Sequence, residues 1–304
     1  MKSINSIAIV VTHNRCSLLE RCLKSLLSQS EKLNEILVIN NGSTDGTRNL
    51  LQKFNVKVIH QENLGSAGGW NTGLKYALDN GFDAAWLMDD DGFPDQKAYE
   101  LLKNNFSEDT ACISSILINE NDNSRFVFPF PILDKKGLPK LDIAKRNIIK
   151  RDHFKVFCKS KFYPWVHLFN GALISTKSVK KIGNVNKDYF LYGDEVDYFF
   201  RLRTSGKVLS YSKALHFHPE ASKRPFTKIK IFYFIRNSII NYQKYYNHKL
   251  LRCTLGIIYI LFIVYQRNNI RVLLSLLIGK DRKIFYSSIY HGLVGKLGFN
   301  SEIE

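Results

Sequence analysis

The sequence has few cysteines, and they are not spaced to form disulfides or to bind zinc. The five are Cys16, Cys22, Cys112, Cys158 and Cys253. Because their number is odd and no two form a C-x-x-C pair, neither a disulfide framework nor a zinc-finger site is indicated. We therefore expect the protein to work in a reducing compartment.

Long uncharged runs are also lacking. The apolar run Ile7–Val11 ends in polar residues at Thr12–Arg15, which makes it too short for a signal peptide. The stretch Cys253–Tyr265 has 13 uncharged residues, whereas a membrane-spanning helix needs about 20. We therefore expect neither a signal peptide nor a membrane-spanning helix. Only 7 prolines and 18 glycines among 304 residues, without a repeat, are typical of a folded chain of one large domain or two joined ones.

Acidic residues are scarce in the last third of the chain. The net charge is +17, of which residues 1–100 contribute −2 and residues 201–304 contribute +14. The basic excess therefore indicates a partner of the last third and not of the whole protein. A nucleic-acid-binding protein is the competing class, but no helix-turn-helix, RNP or zinc-finger signature is present. We expect no nucleic-acid partner.

Short apolar strands alternate with amphipathic helices over the first ninety residues. Strands are predicted at Ile7–Val11, Glu35–Ile39, Val56–Ile59 and Ala84–Met88, with helices at Ser17–Leu27, Thr47–Phe54 and Gly69–Asn80. This alternation predicts an α/β fold with a doubly wound, mostly parallel sheet. Ligands of such sheets bind at the carboxyl ends of the strands. From Asn119 to Tyr163 we expect hairpins and loops, and Ile229–Tyr246 predicts an aromatic, basic helix.

Three consecutive acidic residues, Asp89, Asp90 and Asp91, follow a predicted buried strand. Adjacent carboxylates repel each other unless a cation binds them, and hard oxygen ligands suit Mg²⁺ or Mn²⁺. The alternative is a solvated acidic turn. His216 and His218 share one face of a predicted strand, so either could add a metal ligand, although paired histidines in a strand are often structural.

A run of small residues from Gly65 to Gly73 opens a predicted helix. Backbone amides at a helix N-terminus favour anions such as a diphosphate. The run matches neither the dinucleotide-binding fingerprint nor the P-loop, so NAD and P-loop chemistry are not supported. Tight packing of this segment on the sheet is the alternative interpretation.

A second acidic group, Asp194, Glu195 and Asp197, follows the aromatic residues Tyr189–Tyr192. A carboxylate beside aromatic surface is partly desolvated, which raises its pKa and suits it to accept a proton from a sugar hydroxyl. Acidic residues in the first turn of a helix are a common alternative.

Together these features resemble the family 2 inverting glycosyltransferases with the GT-A fold. The motifs that carry the resemblance are V-V-T-H-N-R (10–15), N-N-G-S-T-D-G-T (40–47), N-L-G-S-A-G-G-W-N-T-G (63–73), W-L-M-D-D-D-G (86–92), F-N-G-A-L-I-S (169–175) and G-D-E-V-D-Y-F-F-R (193–201). The resemblance covers roughly residues 5 to 240. The third and fourth motifs look like those of bacterial galactofuranosyl- and rhamnosyltransferases.

The resemblance implies a site for a nucleotide-sugar donor and a divalent metal, Mn²⁺ or Mg²⁺. The residues implied to bind the nucleotide sugar are Thr12, Asn14, Arg15, Asn41, Asp45, Gly68, Asn71, Asp89 and Asp90. The implied metal ligands are Asp89, Asp91 and His218. UDP-galactofuranose is the leading donor and dTDP-rhamnose the alternative.

The resemblance also implies a catalytic base and an acceptor. The family's base motif aligns its aspartate with Glu195, and this chain departs by carrying Glu195 there and Asp194 before it; we choose Glu195. Trp165 and Asp197 are the implied acceptor-binding residues. The acceptor would be a lipid-linked glycan in cell-surface polysaccharide synthesis.

These inferences divide the chain into a GT-A catalytic domain, residues 1–222, and a basic helical region, residues 223–304. Within the first, residues 1–100 would bind the nucleotide sugar and residues 101–222 the acceptor. Basic, aromatic helices lie well on an anionic membrane, which predicts a peripheral protein on the cytoplasmic face of the plasma membrane. Packing of these helices on the catalytic domain, or on a second subunit in a homo-oligomer, is the alternative.

Overall fold

The computed structural model describes residues 4–141, 147–158, 160–220 and 225–303. The chain forms two compact units. The first consists of described residues within Met1–Leu64, Gly69–Val185 and Tyr198–Ala221. The second consists of Gly65–Gly68, Asn186–Asp197 and the described residues of Ser222–Glu304.

The first unit is built on parallel strands with helical connections. The strands are β1 (Ser6–Thr12), β2 (Glu35–Asn41), β3 (Lys57–Gln61) and β4 (Ala84–Asp89), and the helices are α1 (Cys16–Leu27), α2 (Thr47–Leu51) and α3 (Gly65–Asp79). β1 pairs in parallel with both β2 and β4, and β2 pairs in parallel with β3. Ile7 to Val10 are fully buried, as expected of a central strand covered on both faces.

The sheet continues past β4 with strands of both directions. The further strands are β5 (Phe93–Pro94), β6 (Thr110–Asn119), β7 (Asp122–Pro131), β8 (Asn147–Lys150), β9 (Phe162–Tyr163), β10 (Asn170–Ser175) and β11 (Lys207–His218). The strand order is β3-β2-β1-β4-β10-β6-β11-β5, with β7 and β8 paired outward from β6, and β9 beside β11. β10 is antiparallel to β4 and β6, whereas β6 and β11 are parallel. β4, β6 and β11 therefore end at the same edge of the sheet.

Helix α3 lies close to β1 because glycine replaces a side chain at two positions. A Cβ at Gly69 would lie 2.5 Å from Val11 Cγ1, and one at Gly73 would lie 2.5 Å from Ile9 Cγ2. The remaining helices of the first unit are α4 (Ala98–Lys103), α5 (Arg151–Phe157), α6 (Thr176–Ile182) and the greater part of α7 (Asp194–Leu202). Tight packing therefore explains Gly69 and Gly73, as one of the two interpretations of the glycine run expected.

Four helices form most of the second unit: α8 (Lys228–Tyr245), α9 (Lys249–Arg267), α10 (Ile270–Leu277) and α11 (Arg282–Leu293). Their core contains Ile231, Ile235 and Ile239 of α8, which lie four residues apart and so share one face of that helix. They pack with buried side chains of α9, α10 and α11. The loop Asn186–Gly193 and the helix starts at Gly65 and Asp194 complete the unit.

The predicted α/β class is confirmed, with differences at the ends of elements. Helix α3 begins at Gly65, four residues before the predicted start, so the small-residue run forms its first turn. The segment predicted as hairpins and loops contains the ten-residue strand β7. Helix α9 has 19 residues. It is longer than the uncharged stretch, so length no longer argues against a membrane span. The division at residue 222 stays a prediction.

We expect Gly73→Ala to lower the free energy of unfolding by about 1–2 kcal/mol. The overlap with the β-branched Ile9 costs about 1–3 kcal/mol, and the better helix propensity of alanine returns about 1 kcal/mol. Urea denaturation measures the difference. Gly46→Ala is the matched control, because its Cβ would lie 3.6 Å from Cys16 Sγ, an ordinary contact. Equal stability of the two variants would contradict close packing at Gly73.

Candidate active site

The carboxyl edge of the sheet collects polar residues from β1, β4 and β11. β1 ends at Thr12, β4 at Asp89 and β11 at His218. Asp90, which follows β4, is 2% exposed and accepts a hydrogen bond of 2.7 Å from Thr12 Oγ1. Burial raises the pKa of Asp90 to about 6, although Arg15 and the Thr12 hydroxyl act in the opposite direction. The implied nucleotide-binding residues Thr12 and Asp90 are therefore in direct contact.

Arg15 neutralises the acidic residues that follow β4. Its guanidinium lies 3.0 Å from Asp90 Oδ1 and 2.5 Å from Asp91 Oδ2. Burial alone would lower the pKa of Arg15, but the three neighbouring carboxylates raise it above its usual value. The guanidinium thus replaces part of the positive charge that a bound cation would bring to this edge.

Asp91 and His218 form a pair suited to a cation. His218 Nδ1 lies 2.6 Å from the Pro219 carbonyl oxygen, and since a carbonyl can only accept, Nδ1 carries the proton. In the neutral ring Nε2 then presents a lone pair, 3.0 Å from Asp91 Oδ1. Two acceptors at this distance repel unless a proton or a metal cation lies between them. A metal-binding histidine commonly donates its other N–H to a carbonyl in this way.

Burial alone would raise the pKa of Asp91, but a hydrogen bond from His218, made when a proton lies between the two side chains, and the charge of Arg15 hold it at about 2. Among the described residues, no group of three or more His, Cys, Asp or Glu side chains is arranged to hold a metal ion. The structure therefore brings together two of the three implied ligands. Asp89, the third, lies at the end of β4, and its backbone N–H donates to Phe169 O at 2.8 Å.

His216, the other candidate ligand, packs against two glycines. A Cβ at Gly92 would lie 2.3 Å from its Nε2, and one at Gly171 would lie 3.0 Å from its Nδ1. Its ring is fully buried, and neither ring nitrogen has a hydrogen-bond partner in the part of the chain that the structure describes. Burial lowers the pKa of His216 to about 3. It is His218, then, whose ring contacts Asp91.

Asn14 ties the loop after β1 to the loop after β2. It has a left-handed backbone, with φ 54°, and its Oδ1 accepts hydrogen bonds from the backbone N–H of Thr44 at 2.7 Å and of Asp45 at 3.3 Å. Asp45 in turn accepts a hydrogen bond of 3.1 Å from Cys16 N. These two implied nucleotide-binding residues therefore fix the shape of both loops.

Asn41 is 3% exposed at the end of β2. Its Oδ1 accepts from Gln61 Nε2 at 2.7 Å and Leu64 N at 3.2 Å, and its Nδ2 donates to Asn63 Oδ1 at 3.2 Å. The side-chain amide of Asn41 is therefore hydrogen-bonded to the segment that leads from β3 to α3. These hydrogen bonds position that segment.

The small-residue run serves two different contacts. Gly65 has φ +72°, and a Cβ there would lie 2.1 Å from Phe190 O. Ala67 N donates to the same carbonyl at 3.3 Å. Gly68 lies in this first turn of α3, and Asn71, one turn later, donates from Nδ2 to Val185 O at 2.7 Å. The first turn of α3 is thus held against the loop that precedes the second acidic group.

Asp194 and Glu195 begin helix α7 and differ in burial. Asp194 is 4% exposed, and among the described residues its Oδ2 has no hydrogen-bond partner. Burial raises the pKa of Asp194 to about 7. Glu195 is half-buried. Both lie in the first turn of α7, where the helix dipole favours negative charge.

The two implied acceptor-binding residues have different surroundings. Asp197 is 2% exposed, and its Oδ1 lies 2.8 Å from Lys244 Nζ and 2.5 Å from the Tyr245 hydroxyl. Trp165 is half-buried and packs on Phe199 with ring centroids 4.4 Å apart. Trp165 is therefore partly exposed, whereas the Asp197 carboxylate is bound by Lys244 and Tyr245 of helix α8.

Sequence reasoning missed Arg21 and the polar residues of α8. Arg21 donates to Asp91 O at 2.9 Å and pairs with Glu120 at 2.6 Å, and no sequence signal separates it from the other arginines of the chain. For α8 a signal existed, since Asn237, Asn241 and Tyr245 lie four residues apart and therefore share one face of the helix.

We expect Asp194 to make the protein less stable as pH rises from about 4 to about 7. The folded state keeps a proton there that an ordinary aspartate in the unfolded chain, with pKa 3.8, releases. By linkage the loss is at most about 4 kcal/mol. Urea denaturation across this pH range should show a flatter profile for Asp194→Asn than for the wild type. The exposed Glu108 gives the control, Glu108→Gln, and an unchanged slope in Asp194→Asn would contradict the buried carboxyl as its source.

The chain is similar to known glycosyltransferases. Residues 7–162 match the family described as Glycosyl transferase family 2. Galactofuranosyltransferase GlfT1 of Mycolicibacterium smegmatis is 32% identical over 205 residues, which are 66% of this chain and 65% of that protein. GlfT1 of Mycobacterium tuberculosis is 30% identical over 207 residues, 66% of this chain and 64% of that protein. The match thus spans about two thirds of the length of these relatives.

Two solved structures share the fold. A mannosyltransferase from Pyrobaculum calidifontis in complex with GDP-Man and Mn²⁺ superposes with a TM-score of 0.57 at 13% identity, covering 97% of this chain and 88% of that one. S. aureus TarS 1–349 superposes with a TM-score of 0.53 at 14% identity, covering 99% and 98%. The family match covers half of the chain and includes the acidic residues after β4. The chain belongs to glycosyl transferase family 2 and has the GT-A fold.

Proposed function

We propose that the protein is an inverting, metal-dependent glycosyltransferase that transfers galactofuranose from UDP-galactofuranose to a lipid-linked glycan in cell-surface polysaccharide synthesis. The observation that carries the proposal is the cluster of Asp90, Asp91, Arg15 and His218 at the carboxyl ends of β1, β4 and β11. The identity of 32% with a galactofuranosyltransferase supports the donor. The alternative donor, dTDP-rhamnose, stays a prediction.

The donor would bind to the first 100 residues. Thr12, Asp89 and Asp90 would face the nucleoside, and Arg15 would exchange its carboxylate partners for a donor phosphate, since a guanidinium binds phosphate and carboxylate in the same geometry. Asn14, Asp45 and Asn41 would hold the surrounding loops. The first turn of α3, with Gly68, and Asn71 in the next turn would support the diphosphate.

A divalent cation, Mn²⁺ or Mg²⁺, would be held by Asp91 and His218, with Asp89 as the third ligand. The facing acceptors at Asp91 Oδ1 and His218 Nε2, 3.0 Å apart, fit this group. When bound, it would neutralise the negative charge that develops on the departing nucleoside diphosphate.

Glu195 would act as the base in a single displacement. Its half-buried carboxylate takes the proton of the acceptor hydroxyl, whose oxygen bonds to the anomeric carbon while the bond from that carbon to the diphosphate oxygen breaks. Attack on the face opposite the leaving group inverts the configuration. Asp194 is less suited because it is 4% exposed and so offers little access to an acceptor. Residues 101–222 would supply acceptor contacts, Trp165 among them.

We expect donor binding to require the metal, and the two acidic groups to act at different steps. Asp91→Asn should weaken Mn²⁺-dependent binding of UDP-galactofuranose and lower kcat/KM by about 100-fold or more. Glu195→Gln should lower kcat by about 100- to 10,000-fold and leave donor affinity unchanged. Calorimetry with a panel of UDP-, dTDP- and GDP-sugars, with Mn²⁺ or EDTA, and a transfer assay measure these quantities.

Asp152→Asn is the control for these variants, since its side chain is 84% exposed on α5. Asp194→Asn tests the choice of base, and a larger loss of kcat than in Glu195→Gln would assign that role to Asp194. The proposal is contradicted when the wild type binds no nucleotide sugar, or when Asp91→Asn and Glu195→Gln both turn over at the wild-type rate.

The second unit would dock on an anionic membrane that presents the acceptor. Apolar side chains of α9 to α11 and their connections are exposed, among them Leu250 at 82%, Ile278 at 73% and Tyr290 at 61%. Exposed Lys249, Lys280 and Lys283 lie near them in the sequence, and each basic residue near an anionic surface contributes about 1 kcal/mol.

Helix α9 itself meets the length and composition of a membrane span, the one such helix in the described ranges. The apolar stretch of this helix has a mean hydropathy of 1.5, and 28% of that stretch is buried. Cys253, Ile260 and Val264 pack with α8. This buried face and the exposed face opposite it support a helix that lies on the membrane surface.

We expect Ile278→Asp to reduce binding to vesicles of phosphatidylcholine with phosphatidylglycerol by about tenfold or more, because it places a charge in the apolar surface. Sedimentation with these vesicles, and with phosphatidylcholine alone, measures the binding. Val156→Asp is the matched control, since Val156 is also 73% exposed and lies on α5 of the first unit. Equal sedimentation of both variants, or a dimer in analytical ultracentrifugation that Ile278→Asp dissociates, would contradict membrane docking.

A further inference from the structure

The loop Asn186–Gly193, which leads into the acidic turn of α7, has an unfavourable backbone conformation. Phe190 and Tyr192 have φ of 62° and 61°, and Gly193 between Tyr192 and Asp194 has φ 77°. A positive φ is unfavourable for a residue with a side chain. Such a loop keeps one conformation only when surrounding contacts hold it.

One helix supplies most of those contacts. Asn237 Nδ2 shares its two N–H groups among the carbonyl oxygens of Tyr189 at 3.0 Å, Leu191 at 2.9 Å and Tyr192 at 2.8 Å. Asn241 Nδ2 donates to Gly193 O at 2.8 Å. Both asparagines are buried in α8, and their spacing of four residues places them on one face of the helix.

Arg236 extends this contact. It is 1% exposed, and its guanidinium donates to Tyr189 O at 3.1 Å and to Gly298 O at 2.6 Å. Its Nε donates to Asn237 Oδ1 at 2.8 Å, which orients the Asn237 amide so that its N–H groups face the loop. A cation that bonds backbone carbonyls in this way fixes the loop without help from a carboxylate.

The end of the acidic turn is held by the last turn of α8. Asp197 Oδ1 lies 2.8 Å from Lys244 Nζ, 2.5 Å from the Tyr245 hydroxyl and 3.4 Å from the Tyr189 hydroxyl. Lys244 and Tyr245 donate to this oxygen and restrict its position, whereas the Tyr189 hydroxyl donates its one hydrogen to Asn241 Oδ1 at 2.9 Å. The residues before and after Asp194 and Glu195 are therefore bound to the same helix.

The start of α3 depends on the same loop. Phe190 O accepts a hydrogen bond of 3.3 Å from Ala67 N, and Gly65 packs on that carbonyl so closely that a Cβ would not fit. The position of the loop consequently sets the position of the small-residue turn Gly65–Gly68 as well.

We propose that helix α8 is a positioning element of the transferase, whose polar side chains Arg236, Asn237, Asn241, Lys244 and Tyr245 set the place of the turn that carries Asp194 and Glu195. This inference rests on the proposed role of that turn in deprotonating the acceptor. It assigns the C-terminal region a part in catalysis that does not depend on a membrane.

Lys244→Met and Tyr245→Phe test the proposal, because each removes one donor to Asp197 at the end of α8. In a membrane-free assay with a soluble acceptor we expect kcat to fall about 10- to 100-fold, since small displacements of catalytic groups have effects of this size. The affinity for the nucleotide sugar should change by less than about threefold. Lys244→Arg, which keeps a hydrogen-bond donor to Asp197, should retain most of the activity.

Hydrogen exchange of the full-length protein gives a readout independent of catalysis. Backbone amides of residues 189–197 should exchange about tenfold faster in Lys244→Met, because the loop loses contacts that oppose its opening. Lys228→Met is the matched control: Lys228 lies on the same helix and forms an ion pair of similar length, 2.7 Å, with Asp281. It should leave both exchange and kcat unchanged.

Asn237→Ala is the stronger variant, and its thermal denaturation shows whether it folds. Wild-type exchange of residues 189–197 in Lys244→Met and Tyr245→Phe would overturn the proposal. Faster exchange with wild-type kcat, where Glu195→Gln and Asp194→Asn have shown the turn to be essential, would overturn it too. Full activity of Glu195→Gln and Asp194→Asn would refute the proposed base instead, and the exchange measurement would still decide whether α8 holds the loop.

Discussion

The first unit depends on placing acidic residues side by side at the buried end of β4. Two carboxylates in a low-dielectric environment repel each other, and Asp90 is 2% exposed. The chain compensates with the Thr12 hydroxyl on Asp90 and with the Arg15 guanidinium on both Asp90 and Asp91. His218 Nε2 faces Asp91 Oδ1, and this pair requires a proton or a cation between the two atoms. Because these groups come from the ends of β1 and β11, strands far apart in sequence must end at one edge. The sheet order and the electrostatics therefore require each other.

The second unit has a different constraint, which is the backbone strain of one loop. The loop before Asp194 has two non-glycine residues with positive φ, Phe190 and Tyr192. Its carbonyl oxygens receive hydrogen bonds from asparagine and arginine side chains of α8. Hydrogen bonds to buried carbonyls are costly to leave unmade, so their loss would release the loop. The same helix packs its isoleucine face in the helical core, which makes it a rigid support.

Much of this site could be predicted because parallel strands deliver their carboxyl ends to one edge. Asp89 to Asp91 follow an apolar strand and His218 ends another predicted strand, so the topology of a parallel sheet brings them to one edge. The surroundings of Asn14 and Asn41 could not be predicted, because loop conformation decides where a side chain points, and Asn14 and Gly42 have positive φ. The partners of Asn237 were hidden for another reason. They lie more than forty residues away in sequence, and asparagine in a helix has many uses.

The basic charge of the last third divides into two groups with different uses. Arg236 is 1% exposed and bonds backbone carbonyls, and Lys244 pairs with the buried Asp197. These two charged side chains make their contacts inside the second unit, where they hold the acidic loop. Lys249, Lys280 and Lys283 are exposed and lie near exposed apolar side chains in the sequence. Since only exposed charge attracts a membrane, net charge overstates the attraction, and the same excess of lysine and arginine accounts for a fixed loop as well as a docking surface.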